Sequence, residues 1–383
     1  MKIVFDRRML VNAFPPLLSA VCNHPTISAT EGVLIEARED GSCILTTYDT
    51  EKGIRIAVDA KVYSAGSCII NAQKFQQVIR VMDGDEIELD VDDRHNAKIS
   101  CGKATHRMSA MAAKDFPTLP DIVRDRGFVI SQPMLKKLLN KTCHAMGNDD
   151  TRQILNGIFF HVNAEQLTVV SCDSFKLAKC IRSVKLENKS APDRVFDYKF
   201  IIPVKTINEL IKLLEDGEDD MATVYCTKRY IIFIIGEITF FSRLIDGEYI
   251  DYNRIIVKDH KIFMTLDRAA LIAALERAAL VTEERIKGYN RSHVKLELVG
   301  DIIKISSSSA AGATYDEIAI DHEGDDLLIA FNNRYLIDSV RACGGEKVKI
   351  SLSSALTSIN IEPCQQAAGD EEIFMLLPVR MKE

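Results

Sequence analysis

The chain repeats one short pattern six times, and this repetition limits its possible folds more than any single residue does. In each copy a short apolar strand leads into an amphipathic helix, as where Ile3-Val4-Phe5 precedes Met9-Leu10-Val11. Pairs of copies recur at roughly 130 residues, which is too long for a solenoid repeat and fits a whole small domain. The sequence therefore predicts three tandem copies of one domain. The other strands of the pattern are 68–70, 128–130, 200–202, 262–264 and 328–330.

Between the helices, alternating or continuously apolar stretches separated by turn residues predict antiparallel strands. Each third of the chain then consists of two helices packed on an antiparallel sheet, which is an α+β domain. We expect the three domains to span residues 1–121, 127–253 and 261–383. The clearest strand predictions are 32–37, 43–47, 157–162, 167–170 and 294–298.

Composition indicates a protein with a substantial core. The 383 residues are 47% hydrophobic, yet no apolar run approaches the ~18 residues that a membrane span needs. Met1-Lys2-Ile3 leads into a strand and not into a signal peptide, so we expect a cytoplasmic protein with no membrane partner. The ten cysteines include no C-x-x-C pair, which favours small reduced core residues over disulfides or a metal site.

The net charge of −7 is unevenly distributed. Acidic residues cluster in loops after the second helix of a copy, at 83–86 and 215–220, whereas the exposed helix faces are neutral to basic. Diffuse basic faces suit contact with a phosphate backbone without base readout, although a single stripe of this kind is also typical of any solvated helix. Lys137, Lys141 and His144 form one such face; Arg80, Lys205, Lys212, Arg334 and Arg341 contribute to others.

Several segments together resemble the bacterial β sliding clamps, the processivity subunits of DNA polymerase III. These are Met1-Lys2-Ile3, Asp115-Phe116-Pro117, Arg152 with Leu155-Asn156-Gly157, Cys172–Ala178, Leu244–Tyr252 and Leu377–Met381. The resemblance covers essentially the whole chain. It implies a head-to-tail homodimeric ring that encircles double-stranded DNA without sequence preference. It also implies a non-catalytic protein without cofactors, whose partners are the polymerase III alpha subunit, the clamp loader delta subunit and other proteins with a clamp-binding motif.

The resemblance also assigns residues to three surfaces. A pocket for partner peptides would lie between the second and third domains, with Leu177, Ile255 and Leu377 as an apolar cup and Arg152, Lys176 and Arg254 as rim donors. The family's usual residues differ at Ser174-Phe175-Lys176 and at Ile250. The remaining pocket positions are Cys172, Ser358, Met375, Pro378, Val379 and Arg380. His24 would join the basic helix residues in facing DNA, and His106 and Met108 would contact Leu280 and Val281 across the dimer.

Two other classes of function compete with a clamp. An enzyme is disfavoured because the sequence contains no phosphate-binding loop, zinc-protease motif, nucleophile elbow or dinucleotide fingerprint. Asp173 beside Cys172 and Ser174 is better explained as a turn residue, and the eight histidines are dispersed. A repeat-domain interaction scaffold, or a divergent clamp paralogue outside the main replisome, remains the alternative.

Overall fold

A computed structural model describes residues 1–22, 25–121, 123–282, 293–309 and 312–381. Contacts divide the chain into two compact units, so the second predicted copy is shared between them. Unit 1 comprises 1–133, 187–195 and 208–244; unit 2 comprises 134–186, 196–207 and 245–383.

All six predicted strand-to-helix steps are present. In four of them an Asp or Asn at the end of the strand accepts a hydrogen bond from a backbone N–H in the first helical turn, as where Asp6 Oδ1 accepts from Met9 N at 2.9 Å. Such a side chain satisfies a donor that has no partner inside the helix, so the cap sets where each helix begins. The helices are α1 (Arg7–Leu18), α2 (Ala72–Val81), α3 (Gln132–Thr142), α4 (Val204–Leu213), α5 (Tyr252–Ile255), α6 (Arg268–Thr282) and α7 (Asn333–Ala342).

Unit 1 is built on one sheet of 13 described strands. Helices α1 and α2 pack on each other, with the rings of Phe14 and Phe75 in edge contact at 5.4 Å. The strands are β1 (Lys2–Asp6), β2 (Gly32–Ala37), β3 (Ser42–Tyr48), β4 (Lys52–Ser64), β5 (Gly66–Asn71), β6 (Glu86–Val91), β7 (Asn96–Cys101), β8 (Ala104–Ala112), β9 (Gly127–Ser131), β13 (Glu187–Asn188), β15 (Met221–Cys226), β16 (Tyr230–Ile235) and β17 (Ile238–Arg243). Their order is β1-β6-β7-β8-β5-β2-β3-β4-β17-β16-β15-β9-β13.

The described residues of unit 2 form two sheets. Their strands are β10 (Gly157–Asn163), β11 (Gln166–Cys172), β12 (Lys176–Ser183), β14 (Asp197–Pro203), β18 (Ile262–Asp267), β19 (Val294–Val299), β20 (Ile302–Ser309), β21 (Gly312–Ala319), β22 (Asp321–Glu323), β23 (Leu327–Phe331), β24 (Lys347–Leu352), β25 (Ile359–Pro363) and β26 (Glu371–Leu376). Nine of these strands follow the order β14-β10-β11-β12-β26-β25-β24-β18-β22, and four follow the order β21-β20-β19-β23. All pairings are antiparallel, as predicted.

The three copies share one backbone hydrogen bond as well as the same order of elements. The first residue of α1 donates its N–H to Asp85 O at 2.8 Å, and the first residues of α3 and α6 donate to Asp220 O at 2.9 Å and Glu346 O at 2.8 Å. Each acceptor lies in the loop after the second helix of the copy. The chain is therefore three copies of one α+β domain, whereas the boundaries given above stay a prediction.

The cysteines match their prediction as small core residues. All ten are free, and seven are buried. Burial raises the pKa of Cys172 and Cys180 to about 12, so these thiols are held in the protonated form. The described part of the chain has no group of three or more His, Cys, Asp or Glu side chains placed to hold a metal ion. None of its described helices is both long and apolar enough to cross a membrane.

Candidate peptide-binding pocket and basic helix surfaces

The predicted pocket residues all belong to unit 2, and a tight turn between β11 and β12 presents two of them. Asp173 Oδ1 accepts hydrogen bonds from Phe175 N at 2.7 Å and Lys176 N at 2.8 Å. A carboxylate that binds backbone donors two and three residues ahead stabilises this kind of turn. The turn leaves Ser174 and Phe175 exposed at the end of the strand, with 54% of Phe175 accessible to solvent.

Leu177 lies beneath the cup and not on its surface. It pairs with Cys172 on one side and Met375 on the other, and it is fully buried. The apolar side chains that do reach the surface are Ile255 and Leu377, exposed by 39% and 40%. The buried cluster under them is Leu155, Phe159, Val170, Cys172, Leu177, Ile201, Tyr249, Ile256 and Met375, with Ile250 packed against it.

Lys176 does not act as a rim donor, which corrects the expectation from the sequence. Its side chain is buried, and its ammonium donates to Asp173 Oδ2 at 2.8 Å and to the carbonyl oxygen of His144 at 2.6 Å. The same ammonium lies 4.8 Å from the ring centroid of Tyr335. Because its partners already surround the charge, Lys176 stabilises the turn from below and leaves no free cation there.

Arg152 and Arg254 are exposed and each lies beside an acid. Arg152 Nη2 donates to Ser174 Oγ at 3.0 Å, and its Nε lies 3.3 Å from Asp150 Oδ1. Hydrogen bonds from the Arg152 backbone and side chain lower the pKa of Asp150, so that carboxyl stays ionised. Arg254 Nε lies 3.0 Å from Asp251 Oδ2. Both guanidinium groups keep further donors available for a ligand.

The C-terminal segment continues the same surface. Leu377 N donates to Phe175 O at 2.8 Å just beyond the paired part of β26, and Val379 N donates to Ala330 O at 2.7 Å. The first bond holds the segment against the second copy, and the second bond holds it against β23. Pro378 and Val379 are half-buried, Arg380 is exposed, and Ser358 is buried.

Lys141 also departs from its prediction as a DNA-facing residue. Only 11% of its side chain is exposed, and its ammonium forms an ion pair with Glu372, which Arg182 also contacts. The charge of Lys141 is therefore used within unit 2. His144 is corrected too, because α3 ends at Thr142 and the ring is buried next to Phe374, at 5.9 Å between centroids. Burial, followed by the nearby Lys176 charge, lowers the pKa of His144 to about 4.

The other predicted DNA-facing residues divide into three groups. Lys137, Lys205, Arg80 and Arg334 are exposed. Lys212 is exposed but lies 3.2 Å from Glu209, and Arg341 is paired with Glu276. His24 lies outside the described residues.

The predicted dimer contacts differ in exposure. His106 is exposed and Met108 is half-buried on β8. Leu280 is 78% exposed near the end of α6, which is unusual for a leucine without a partner surface, whereas Val281 is buried within its own unit.

Two aromatic residues at the pocket were missed by sequence reasoning. Tyr249 stacks on Phe159 at 5.0 Å under the cup, and Tyr335 of α7 lies 6.2 Å from Phe175 between ring centroids. Each meets a partner that lies far away in the chain. No local pattern marks such a contact, and only the three-copy order hints that α7 lies near the pocket.

Comparisons with known proteins agree with this architecture. Three family models match in order: DNA polymerase III beta subunit, N-terminal domain (residues 1–120), central domain (129–251) and C-terminal domain (253–376). A beta sliding clamp of Staphylococcus epidermidis is 27% identical over 390 residues, covering 99% of each chain. The crystal structure of a Bacillus subtilis DNA polymerase sliding clamp is 27% identical with a TM-score of 0.91, and that of Pseudomonas aeruginosa is 25% identical with a TM-score of 0.88; each covers 100% of both chains.

Proposed function

The chain belongs to the DNA polymerase III beta subunit family, the β sliding clamps, and on that basis we propose that it is a DNA sliding clamp. In this role it tethers the replicative polymerase to double-stranded DNA without catalysing a reaction itself. The observation that carries the proposal is the match of all three domain models in order along one chain. We place the protein in the cytoplasm, where its DNA ligand lies.

A clamp needs a closed ring, and we propose a head-to-tail homodimer. Two described strand edges are open for pairing between subunits. Residues 104–109 of β8 pair only with β7 among the described strands, and β21 pairs only with β20. The exposed Leu280 belongs to α6, the helix that packs on β20 and β21, and we propose that it supplies an apolar contact to the partner subunit. Two identical heterologous contacts of this kind close a dimer.

Retention on DNA tests the proposal directly. Protein loaded onto nicked circular DNA by a clamp loader should stay bound through a salt wash and leave after the circle is linearised. An ordinary binding protein would dissociate at the same rate from both forms. Equal loss from circular and linear DNA would instead favour the interaction scaffold.

The exposed helix charges should govern the electrostatic part of binding. Replacing Lys137 and Lys205 with Glu should weaken DNA association and reduce the slope of log affinity against log salt, by about 1 for each lost phosphate contact. Replacing Lys141 is not an equivalent change, because that lysine is buried in an ion pair. Lys258→Glu, at an exposed position outside these helix faces, is the matched control. An unchanged salt slope in the Lys137/Lys205 variant would contradict the assignment.

We also propose that the pocket binds short peptides of the polymerase III alpha subunit, the clamp loader delta subunit and other partners. The surface residues Ile255 and Leu377 give the sharper test, since Leu177 is fully buried and its replacement would damage the core. Leu377→Asp should cost several kcal/mol of binding to a peptide with Gln followed by spaced Leu and Phe, because a carboxylate would be buried against apolar groups. Leu356→Asp, at another exposed leucine of unit 2, is the control for a general surface effect. Wild-type affinity in Leu377→Asp would place the pocket elsewhere.

A further inference from the structure

An exposed aromatic surface forms part of the pocket and has a different chemistry from the arginine rim. Phe175 projects from the turn at 54% exposure, and Leu377 lies next to it through the bond from Leu377 N to Phe175 O. The Tyr335 ring lies against the Phe175 ring in a tilted arrangement, at 6.2 Å between centroids. We call the surface made by Phe175, Tyr335 and Leu377 the aromatic ledge.

Contacts within the protein hold the ledge in place, and they exist before a ligand binds. Asp173 fixes the turn through the backbone N–H groups of Phe175 and Lys176, and the buried Lys176 ammonium lies over the Tyr335 ring. The aromatic rings are therefore supported from below before a partner arrives. A preformed surface costs less ordering entropy on binding, so its contacts contribute more fully to affinity.

The charges around the ledge restrict what it can accept. The cation nearest in sequence, Lys176, is buried and neutralised by Asp173. The exposed Arg152 contacts Ser174 and Asp150. An acidic side chain placed on the face of the Phe175 ring would lose hydration against an apolar surface. An aromatic side chain would gain ring contacts of about 4.5–7 Å and bury apolar area.

We propose that the aromatic ledge is a specificity element of the pocket, and that it binds an aromatic side chain of the partner peptide next to the residues held in the apolar cup. This inference rests on the proposed peptide-binding function. The occupant is a segment of another protein, because the ledge is continuous with the pocket at Leu377. Phe175 is the specificity-determining residue, and Tyr335 positions it.

Fluorescence polarisation with a peptide series tests the proposal on the full chain. The parent peptide carries Gln followed by spaced Leu and Phe, and each flanking position is replaced in turn by Phe, Ala or Asp. At one position at least, Phe should bind about three- to tenfold more tightly than Ala, which corresponds to one aromatic pair. Asp at that position should bind no better than Ala.

Variants of the chain then locate the effect. Phe175→Ala should bring the affinity for the Phe peptide down to that for the Ala peptide, which abolishes the preference for Phe over Ala. Tyr63→Ala, which removes a similarly exposed aromatic ring in unit 1, should leave the preference intact. Because Phe175 is exposed, its replacement should not lower the thermal stability.

The outcomes separate the two proposals. If wild type binds no peptide of the series, the proposed peptide-binding function fails. If peptides bind and Leu377→Asp weakens all of them, but no flanking position distinguishes Phe from Ala, the pocket stands and the ledge is overturned. A preference for Phe that persists in Phe175→Ala overturns it as well.

Discussion

Neighbouring copies of the domain are joined by strand pairing at two places, and the two junctions use different chemistry. The first junction is the pairing of β4 with β17 in unit 1, and the second is the pairing of β12 with β26 in unit 2. Both use antiparallel backbone hydrogen bonds, so the backbone alone does not distinguish them. The difference lies in the side chains that the strands bring together.

The first junction is mostly apolar. Ile54 pairs with Phe240 and Ile56 with Ile238, and the two residues of the first pair are fully buried. Gly53 pairs with Phe241, and a Cβ added at Gly53 would lie 2.2 Å from the Phe241 ring. Glycine is therefore required for the close approach of this ring.

Ion pairs connect the side chains of the second junction. Glu372 of β26 contacts Arg182 of β12 and Lys141 of α3, and all three side chains are largely buried. At its edge, Lys179 Nζ lies 2.7 Å from Glu371 Oε1, and Arg182 Nε lies 3.5 Å from Asp370 Oδ2. The basic residues come from the second copy, and the acidic residues of the pairs come from β26 and from Asp370 just before it.

The comparison shows how one pairing geometry can serve two purposes. Apolar burial at the first junction is non-directional, so it favours any register in which the apolar side chains still face the core. Buried ion pairs contribute little net stability, but a strand shifted in register would leave buried charges without partners. The second junction therefore sets the register of β26, the strand that carries Met375 and leads into Leu377 at the pocket.

The largest expected effect comes from removing the shared acid. Glu372→Leu leaves the buried Lys141 without its carboxylate partner, so the free energy of unfolding should fall by about 3–5 kcal/mol in urea titrations. Glu371→Leu, at a more exposed ion pair of the same strand, should cost about 1 kcal/mol or less. Adding Lys141→Met to Glu372→Leu should recover part of the loss. Equal losses in the two single variants would show that the second junction does not depend on the buried acid.

A smaller loss is expected at the first junction. Gly53→Ala forces the buried Phe241 ring to move, which should lower the free energy of unfolding by about 1–3 kcal/mol, the usual cost of overpacking. The loss should not depend on salt concentration, because no charge is altered. Combining Gly53→Ala with Phe241→Leu makes room for the methyl group, and the double variant should be more stable than additivity predicts. Strict additivity would argue against the steric explanation.

The most subtle difference should appear on acidification. Burial favours a higher pKa for Glu372, but hydrogen bonds from Lys141 and Arg182 outweigh it and lower the pKa below the ordinary 4.5. A carboxyl with a lowered folded pKa stabilises the fold above its unfolded pKa, and this contribution is lost as the pH falls through the folded value. Amide protection factors in β12 and β26 should therefore decrease as the pH falls below the ordinary carboxyl value of 4.5, while those in β4 and β17 change less. Glu372→Gln should remove this difference between the junctions.

The sequence by itself determined the copies and their element order. An apolar strand and an amphipathic helix lie within about 15 consecutive residues, so local periodicity identifies them. Asp6 and Asn332 show this at opposite ends of the chain, and both cap the helices that the pattern predicts. The family resemblance then placed the pocket segments, and all of them fall in one unit.

Only the tertiary structure decided which polar groups on these elements stay available to a partner. Lys137 and Lys141 lie one turn apart on α3, yet the first is exposed and the second is paired with Glu372, 231 positions along the chain. Likewise, Lys176 is neutralised by Asp173, donates a hydrogen bond to the His144 carbonyl and lies over the ring of Tyr335 from another copy. Helical period assigns a residue to a face, but whether that face meets solvent or a strand depends on packing between distant segments. Burial then decides whether a charge attracts a ligand or must be satisfied within the protein.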